Sequence, residues 1–81
     1  MTQSAEDSAR AILRIFYSED VRAGHVLMYE VVNLQFLKSC SAEDFAAGLA
    51  YAIEREWLSN ENTMIRLTKS GFDESQKLKS A

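Results

Sequence analysis

The sequence predicts an α+β fold in which three helices are followed by a short β-hairpin. Residues 42–56 begin at a serine and carry apolar side chains at helical spacing, as in an amphipathic helix. Residues 59–62 form a polar cluster that is typical of a turn. Residues 63–68 then alternate between apolar and polar side chains, which indicates a half-buried strand. We expect the preceding strand to begin at Trp57-Leu58.

The first helix is predicted over residues 5–17. Ser4 and Asp7 resemble a capping box in which aspartate takes the usual place of glutamate. Apolar residues then recur at helical spacing along one stripe, namely Ala9, Ile12, Leu13, Phe16 and Tyr17. The polar run of residues 18–20 is expected to end this helix.

The second helix is predicted over residues 28–38, after a short strand at Val26-Leu27 that adds to the hairpin. The segment mixes strand-favouring and helix-favouring residues, but it is longer than a typical strand, and length decides for a helix. Its apolar residues nearly encircle the helical wheel, which implies burial on more than one side.

The third helix has the clearest start signal in the chain. Ser41 can accept a hydrogen bond from the amide three residues on, and Glu43 and Asp44 suit the first turn. The side chains predicted to point inward are Phe45, Leu49, Ala52 and Ile53. A plain helical bundle is the competing fold, but it does not explain the alternation of residues 63–68.

The chain has 81 residues, which is enough for a single domain. We expect this domain to span residues 1–81, with a core over about residues 5–72 and a flexible tail or a brief helical turn over residues 73–81. A core this small is thin, and a dimer interface would help to stabilise it.

Composition narrows the cellular setting. The single cysteine, Cys40, excludes an intramolecular disulfide, and a chain without such a crosslink is expected in a reducing cytoplasm. The sequence shows neither the apolar run of a signal peptide nor one of membrane-spanning length, so no membrane association is expected. The net charge of −3 weakens the expectation of a nucleic-acid binder without excluding it.

Several stretches of the chain occur in an order shared with a known class of domain. They are Gly24-His25-Val26-Leu27, the helix–turn–helix of residues 28–56, Trp57-Leu58, and Leu67-Thr68-Lys69-Ser70-Gly71. In this order they resemble the winged helix-turn-helix domains of bacterial transcription regulators. The resemblance implies that Trp57-Leu58 opens the wing, and that the segment ending in Gly71 closes the wing and caps the next stretch of chain.

The resemblance also implies a nucleic-acid interface, with the third helix in the major groove of duplex DNA and the wing on phosphates. The residues that it assigns to this role are Tyr51, Arg55, Asn60, Asn62, Arg66 and Lys69. Each also has a simpler interpretation. The basic side chains can be solvated surface charges, Tyr51 can be half-buried on the helix flank, and the asparagines suit a turn.

Charge favours a second hypothesis, a protein-interaction module or a homodimer that does not bind DNA. Residues 41–62 contain five acidic residues and a single basic one, which is a poor match for a polyanion. The second helix has more apolar residues than one face can bury, and a protein interface is predicted at Met28, Tyr29, Val32 and Phe36. The alternative is that this segment lies in the core.

The sequence gives no basis for an enzyme. His25 is the only histidine, and together with the distant Cys40 it matches no metal-site spacing. No phosphate-binding loop, catalytic triad or paired carboxylate is visible. We therefore expect no catalytic residues, no metal, no cofactor and no small-molecule ligand.

Overall fold

A computed structural model describes residues 4–79. Over these residues the chain forms a small α+β fold with four helices and a three-stranded antiparallel sheet. The elements are α1 (Ala5–Ser18), β1 (Val26–Met28), α2 (Tyr29–Leu37), α3 (Ala42–Glu54), β2 (Leu58–Glu61), β3 (Met64–Leu67) and α4 (Lys69–Lys79). The three predicted helices and the hairpin are therefore present, but the predicted helix count of three is wrong.

Serine side chains cap two of the helices as the sequence predicts. Ser4 Oγ accepts a hydrogen bond of 3.1 Å from the Asp7 amide at the start of α1. Ser41 Oγ accepts one of 3.2 Å from the Asp44 amide at the start of α3. Each bond satisfies an amide that has no partner within the helix, and it thereby fixes where the helix begins.

The sheet has the strand order β1-β3-β2, with both pairings antiparallel. The short strand predicted at Val26-Leu27 is confirmed, and it pairs with β3. The turn is shorter than predicted, because β2 continues through Glu61 and only Asn62 and Thr63 connect the strands. Asn62 adopts a φ of 60°, a left-handed conformation that asparagine tolerates well.

The core lies between α1, α3 and the inner face of the sheet. Its buried apolar residues are Ala9, Ile12, Leu13, Phe16, Val32, Phe36, Phe45, Leu49, Ala52, Leu58, Ile65 and Leu67. The inward positions predicted for β3 are confirmed. Ile53 was expected to point inward and is instead 37% exposed. It lies about 100° around α3 from the buried Ala52, which takes it out of the core.

The chain continues as a helix where a flexible tail was expected. That expectation is wrong for residues 73–79, which belong to α4, whereas residues 80 and 81 lie outside the described part. Thr68 caps α4, since its hydroxyl accepts a hydrogen bond of 3.0 Å from the Gly71 amide. Ser75 is 1% exposed against the body of the domain. Within residues 4–79, no helix has the length and apolarity needed to cross a membrane.

Candidate functional site

The outward face of α3 is apolar in its middle and acidic at both ends. Its exposed residues are Glu43, Ala46, Ala47, Ala50, Ile53 and Glu54. At about 3.6 residues per turn they occupy an arc of about 120°. Sequence reasoning assigns this face only partly, because it includes Tyr51 and Arg55 and misses the role of the alanines. The spacing of Ala46, Ala47 and Ala50 was the available signal.

Tyr51 lies at the edge of this face and is held by neighbours on three sides. Its ring packs edge-on against Trp57, with 5.7 Å between the ring centroids. Its hydroxyl donates a hydrogen bond of 3.3 Å to Glu6 and accepts one of 3.2 Å from Arg55 Nε. The Arg55 guanidinium also lies 5.3 Å from the centre of the Tyr51 ring. Two of the predicted nucleic-acid residues are therefore engaged within the protein.

Arg55 has little freedom to meet a phosphate. The hydrogen bond to Tyr51 is the main cause of a raised pKa for its guanidinium, which is charged in any case. Glu54 and Glu56 flank it in the chain and are both exposed. A polyanion that approached Arg55 would meet these two carboxylates at the same time.

Arg10 connects α1 to both α3 and α4. It forms ion pairs with Glu6 at 3.2 Å and with Glu74 at 2.5 Å. Its guanidinium lies 5.2 Å from the centre of the Trp57 ring. These contacts attach α4 to α1 beside the aromatic pair, and the hydrogen bond from Arg10 lowers the pKa of Glu74.

Replacing Glu74 with glutamine is expected to lower the free energy of unfolding by about 1 kcal/mol near neutral pH. The pKa of Glu74 lies below its ordinary value of 4.5 in the folded protein, so the ion pair stabilises the fold fully above that pH. This stabilisation is lost as the pH falls through the lowered pKa. Urea unfolding at a series of acid and neutral pH values measures the effect.

The matched control for this prediction is Asp73→Asn, which neutralises an exposed neighbour in the same helix. We expect the control to keep the acid-side loss of stability, whereas Glu74→Gln reduces it. Equal pH profiles for wild type and Glu74→Gln would show that the ion pair does not hold α4 in place.

Arg66 is the predicted phosphate-binding residue of the hairpin, and it too is occupied. It forms two hydrogen bonds with the Glu61 carboxylate, of 2.6 Å and 2.9 Å, and a third with the Gly24 carbonyl oxygen. The paired arginine lowers the pKa of Glu61. The positive charge that Arg66 places on the sheet is thus offset by an adjacent carboxylate.

The remaining predicted nucleic-acid residues are exposed and lie apart in the chain. Asn60 was assigned to the turn, but it lies in β2, whereas Asn62 is in the turn itself. Lys69 is exposed at the first position of α4, and its side chain forms no hydrogen bond or ion pair with any residue in the 4–79 range. Of the three predicted basic residues, Lys69 alone is uncommitted within this range.

The interface predicted on the second helix does not form a surface. Val32 is fully buried and Phe36 is 2% exposed, so both belong to the core. Tyr29 is half-buried with its ring edge-on to Phe45, 5.5 Å between centroids. Only Met28 is widely exposed, at 49%. The apolar side chains that α2 does expose are Leu34 and Leu37.

No family model, curated protein or solved structure that was compared with this chain matches it. The function must therefore be argued from the surface of the molecule itself. Across the residues that the structure describes, no three His, Cys, Asp or Glu side chains form a metal-binding group. His25 is exposed and Cys40 is half-buried.

Proposed function

We propose that the chain is a winged-helix domain used for protein association, and that the outward face of α3 is its binding surface. The element order helix, strand, helix, helix, strand, strand supports the winged helix, as does the hairpin that packs next to α3. Because one scaffold hosts many functions, the fold alone does not select the partner. The chemistry of the α3 face selects it.

The observation that carries the proposal is the placement of Glu43 and Glu54 at the two ends of an alanine surface. Neither carboxylate forms an ion pair among the described residues. Small side chains allow another helix to approach closely, since the distance between helix axes depends on the side chains at the contact. A partner helix with cationic side chains outside an apolar centre fits this face.

The spacing of the two carboxylates makes the partner specific. Glu43 and Glu54 are eleven positions apart, which at about 1.5 Å per residue separates them by about 16 Å along the helix. Eleven residues are close to three full turns, so a partner helix with lysine or arginine at positions i and i+11 presents both cations on one face. A cleft of ≈ 410 Å³ lined by Tyr51, Glu54 and Arg55 lies next to one of these carboxylates.

A second α3 is a poor partner for this face. Both ends of the face are acidic, so carboxylates oppose carboxylates whether the two helices run parallel or antiparallel. Duplex DNA is a poor partner for the same reason, since its affinity depends on the release of counterions by basic side chains. These two exclusions leave a basic protein segment as the partner.

The test uses a synthetic alanine-rich helical peptide with lysines at positions i and i+11, followed by fluorescence anisotropy and amide chemical shifts. We expect saturable binding, with shifts concentrated at Ala46, Ala47 and Ala50. The variant Glu43→Gln/Glu54→Gln is expected to weaken binding by about tenfold, because two attractive charge pairs are lost. The control variant Glu19→Gln/Asp73→Asn removes the same net charge elsewhere and is expected to bind as wild type does.

Binding of a peptide with glutamate in place of both lysines, or shifts located away from α3, would overturn the proposal. Duplex DNA is the second candidate ligand, favoured by the element order alone. With a mixed-sequence duplex at low salt we expect no saturation up to about 100 μM protein, the weak limit of non-specific binding. Micromolar, salt-sensitive binding that Arg66→Ala and Lys69→Ala abolish would instead support a DNA-binding regulator.

A further inference from the structure

The outward face of α2 has a charge pattern of its own. Its exposed residues are Glu30, Leu34, Leu37 and Lys38. Leu34 is 65% exposed and Leu37 is 39% exposed, and no large apolar side chain among the described residues is more exposed than Leu34. Within the same residues neither Glu30 nor Lys38 forms an ion pair. This face is therefore apolar at its centre, with one unpaired charge of opposite sign on each side.

The face is symmetric about Leu34. Glu30 lies four residues before it and Lys38 four residues after it, so each is about one turn away on the same side of the helix. Lys38 comes directly after the last residue of α2 but keeps helical backbone angles, with φ −64° and ψ −27°. Half-buried Val31 and exposed Leu37 lie three residues before and after the same centre.

We propose that this face binds a second copy of the chain, with the two α2 helices antiparallel about a twofold axis at Leu34. In that arrangement a residue n positions before Leu34 faces the residue n positions after Leu34 of the other copy. Glu30 of each copy faces Lys38 of the other, and Val31 faces Leu37. The two Leu34 side chains meet on the axis.

The same pattern excludes the other simple arrangements. Parallel helices would place Glu30 against Glu30 and Lys38 against Lys38, and the helix dipoles would also oppose each other. An antiparallel pair converts every exposed group on the face into a contact of matching chemistry. Charge complementarity therefore selects a second copy of this chain as the occupant, independently of what α3 binds.

The interface is small, because one three-turn helix per copy supplies most of it. Interfaces below the standard size bind weakly, and we expect a dimer dissociation constant of about 10 μM to 1 mM. Such a dimer forms only at high protein concentration, and it leaves both α3 faces and both hairpins outside the α2 contact.

Sedimentation equilibrium over about 5 μM to 2 mM protein tests the inference, with the charge pairs as the variable. Each single reversal, Glu30→Lys or Lys38→Glu, is expected to weaken the dimer by about tenfold, because it turns two attractive pairs into two repulsive pairs. The double variant Glu30→Lys/Lys38→Glu restores both pairs with exchanged signs and is expected to dimerise as wild type does. Leu34→Asp is expected to abolish the dimer.

Met64→Asp is the matched control, since it places the same charge on an apolar side chain that is 36% exposed on the sheet. We expect it to leave the dimer unchanged. A wild type that stays monomeric throughout the range, or a double variant that is as weak as the single ones, would overturn the inference. Circular dichroism of each variant distinguishes loss of the dimer from loss of the fold. Peptide binding by α3 is a separate measurement, so the two proposals can fail independently.

Discussion

Replacing Gly71 with alanine is expected to lower the free energy of unfolding by about 3 kcal/mol or more. A Cβ atom at this position would lie 1.9 Å from the carbonyl oxygen of Trp57 and 2.8 Å from its carbonyl carbon. Both are backbone atoms, so no side-chain rotation relieves the overlap. Either α4 or the start of β2 must move.

The carbonyl that would have to move has structural duties. It accepts hydrogen bonds from the Thr68 amide at 3.1 Å and from the Thr68 hydroxyl at 2.9 Å. The same hydroxyl caps α4 through the Gly71 amide. Displacing Trp57 therefore disrupts the cap and the start of the hairpin together, and a buried acceptor left without its donors adds its own cost.

Urea unfolding, followed by circular dichroism and Trp57 fluorescence, measures this effect. Ser70→Ala is the control, because Ser70 is the exposed neighbour of Gly71 in α4 and we expect a change within about 0.5 kcal/mol. If Gly71→Ala proves as stable as wild type, α4 does not lie against the Trp57 carbonyl.

Local sequence signals were sufficient for most of the fold. Ser41 and the acidic first turn located the start of α3, and the alternation of residues 63–68 located β3, because caps and period-two patterns report on the chain nearby. The segment 59–62 misled, since its polar composition suits a turn but hydrogen bonding with β3 holds Asn60 in a strand. Pairing with a distant strand leaves no mark in such a short segment.

α4 shows the limit of this approach. Its sequence is polar and lacks a continuous apolar stripe, which is why a flexible tail was expected. What holds it is tertiary, namely the Arg10–Glu74 ion pair, the burial of Ser75 and the contact between Gly71 and Trp57. The Thr68 cap was the one local signal for this helix, and the sequence pattern alone assigned it only to the end of the hairpin.

The candidate site was predicted less well, and electrostatics explains why. Arg55 and Arg66 were selected as cations, but their partners Tyr51 and Glu61 decide what they can bind. On α2 the apolar residues surround the helix, so no hydrophobic pattern could tell the buried Val32 from the exposed Leu34. Which side of such a helix meets solvent depends on how the neighbouring elements pack.

Replacing Gly48 with alanine is expected to lower the free energy of unfolding by about 2 kcal/mol. Gly48 lies where α3 crosses α1, and a Cβ atom there would lie 2.6 Å from Ser8 Cβ, 2.7 Å from Ser8 C and 2.8 Å from Ala9 N. Two of these are backbone atoms, so the two helices would have to separate. Ser8 Oγ is already buried without a hydrogen-bond partner among residues 4–79, a sign of how closely α1 and α3 approach.

The adjacent Ala47 provides a control in the opposite sense, because it is exposed in the same helix. There Ala47→Gly is expected to cost about 1 kcal/mol, since alanine favours a helix more than glycine does. Helix propensity alone predicts that Gly48→Ala stabilises the protein, whereas the crossing of α1 and α3 predicts that it destabilises it. The sign of the change in urea unfolding therefore decides between them, and a stabilised Gly48→Ala variant would show that α1 and α3 do not pack at this distance.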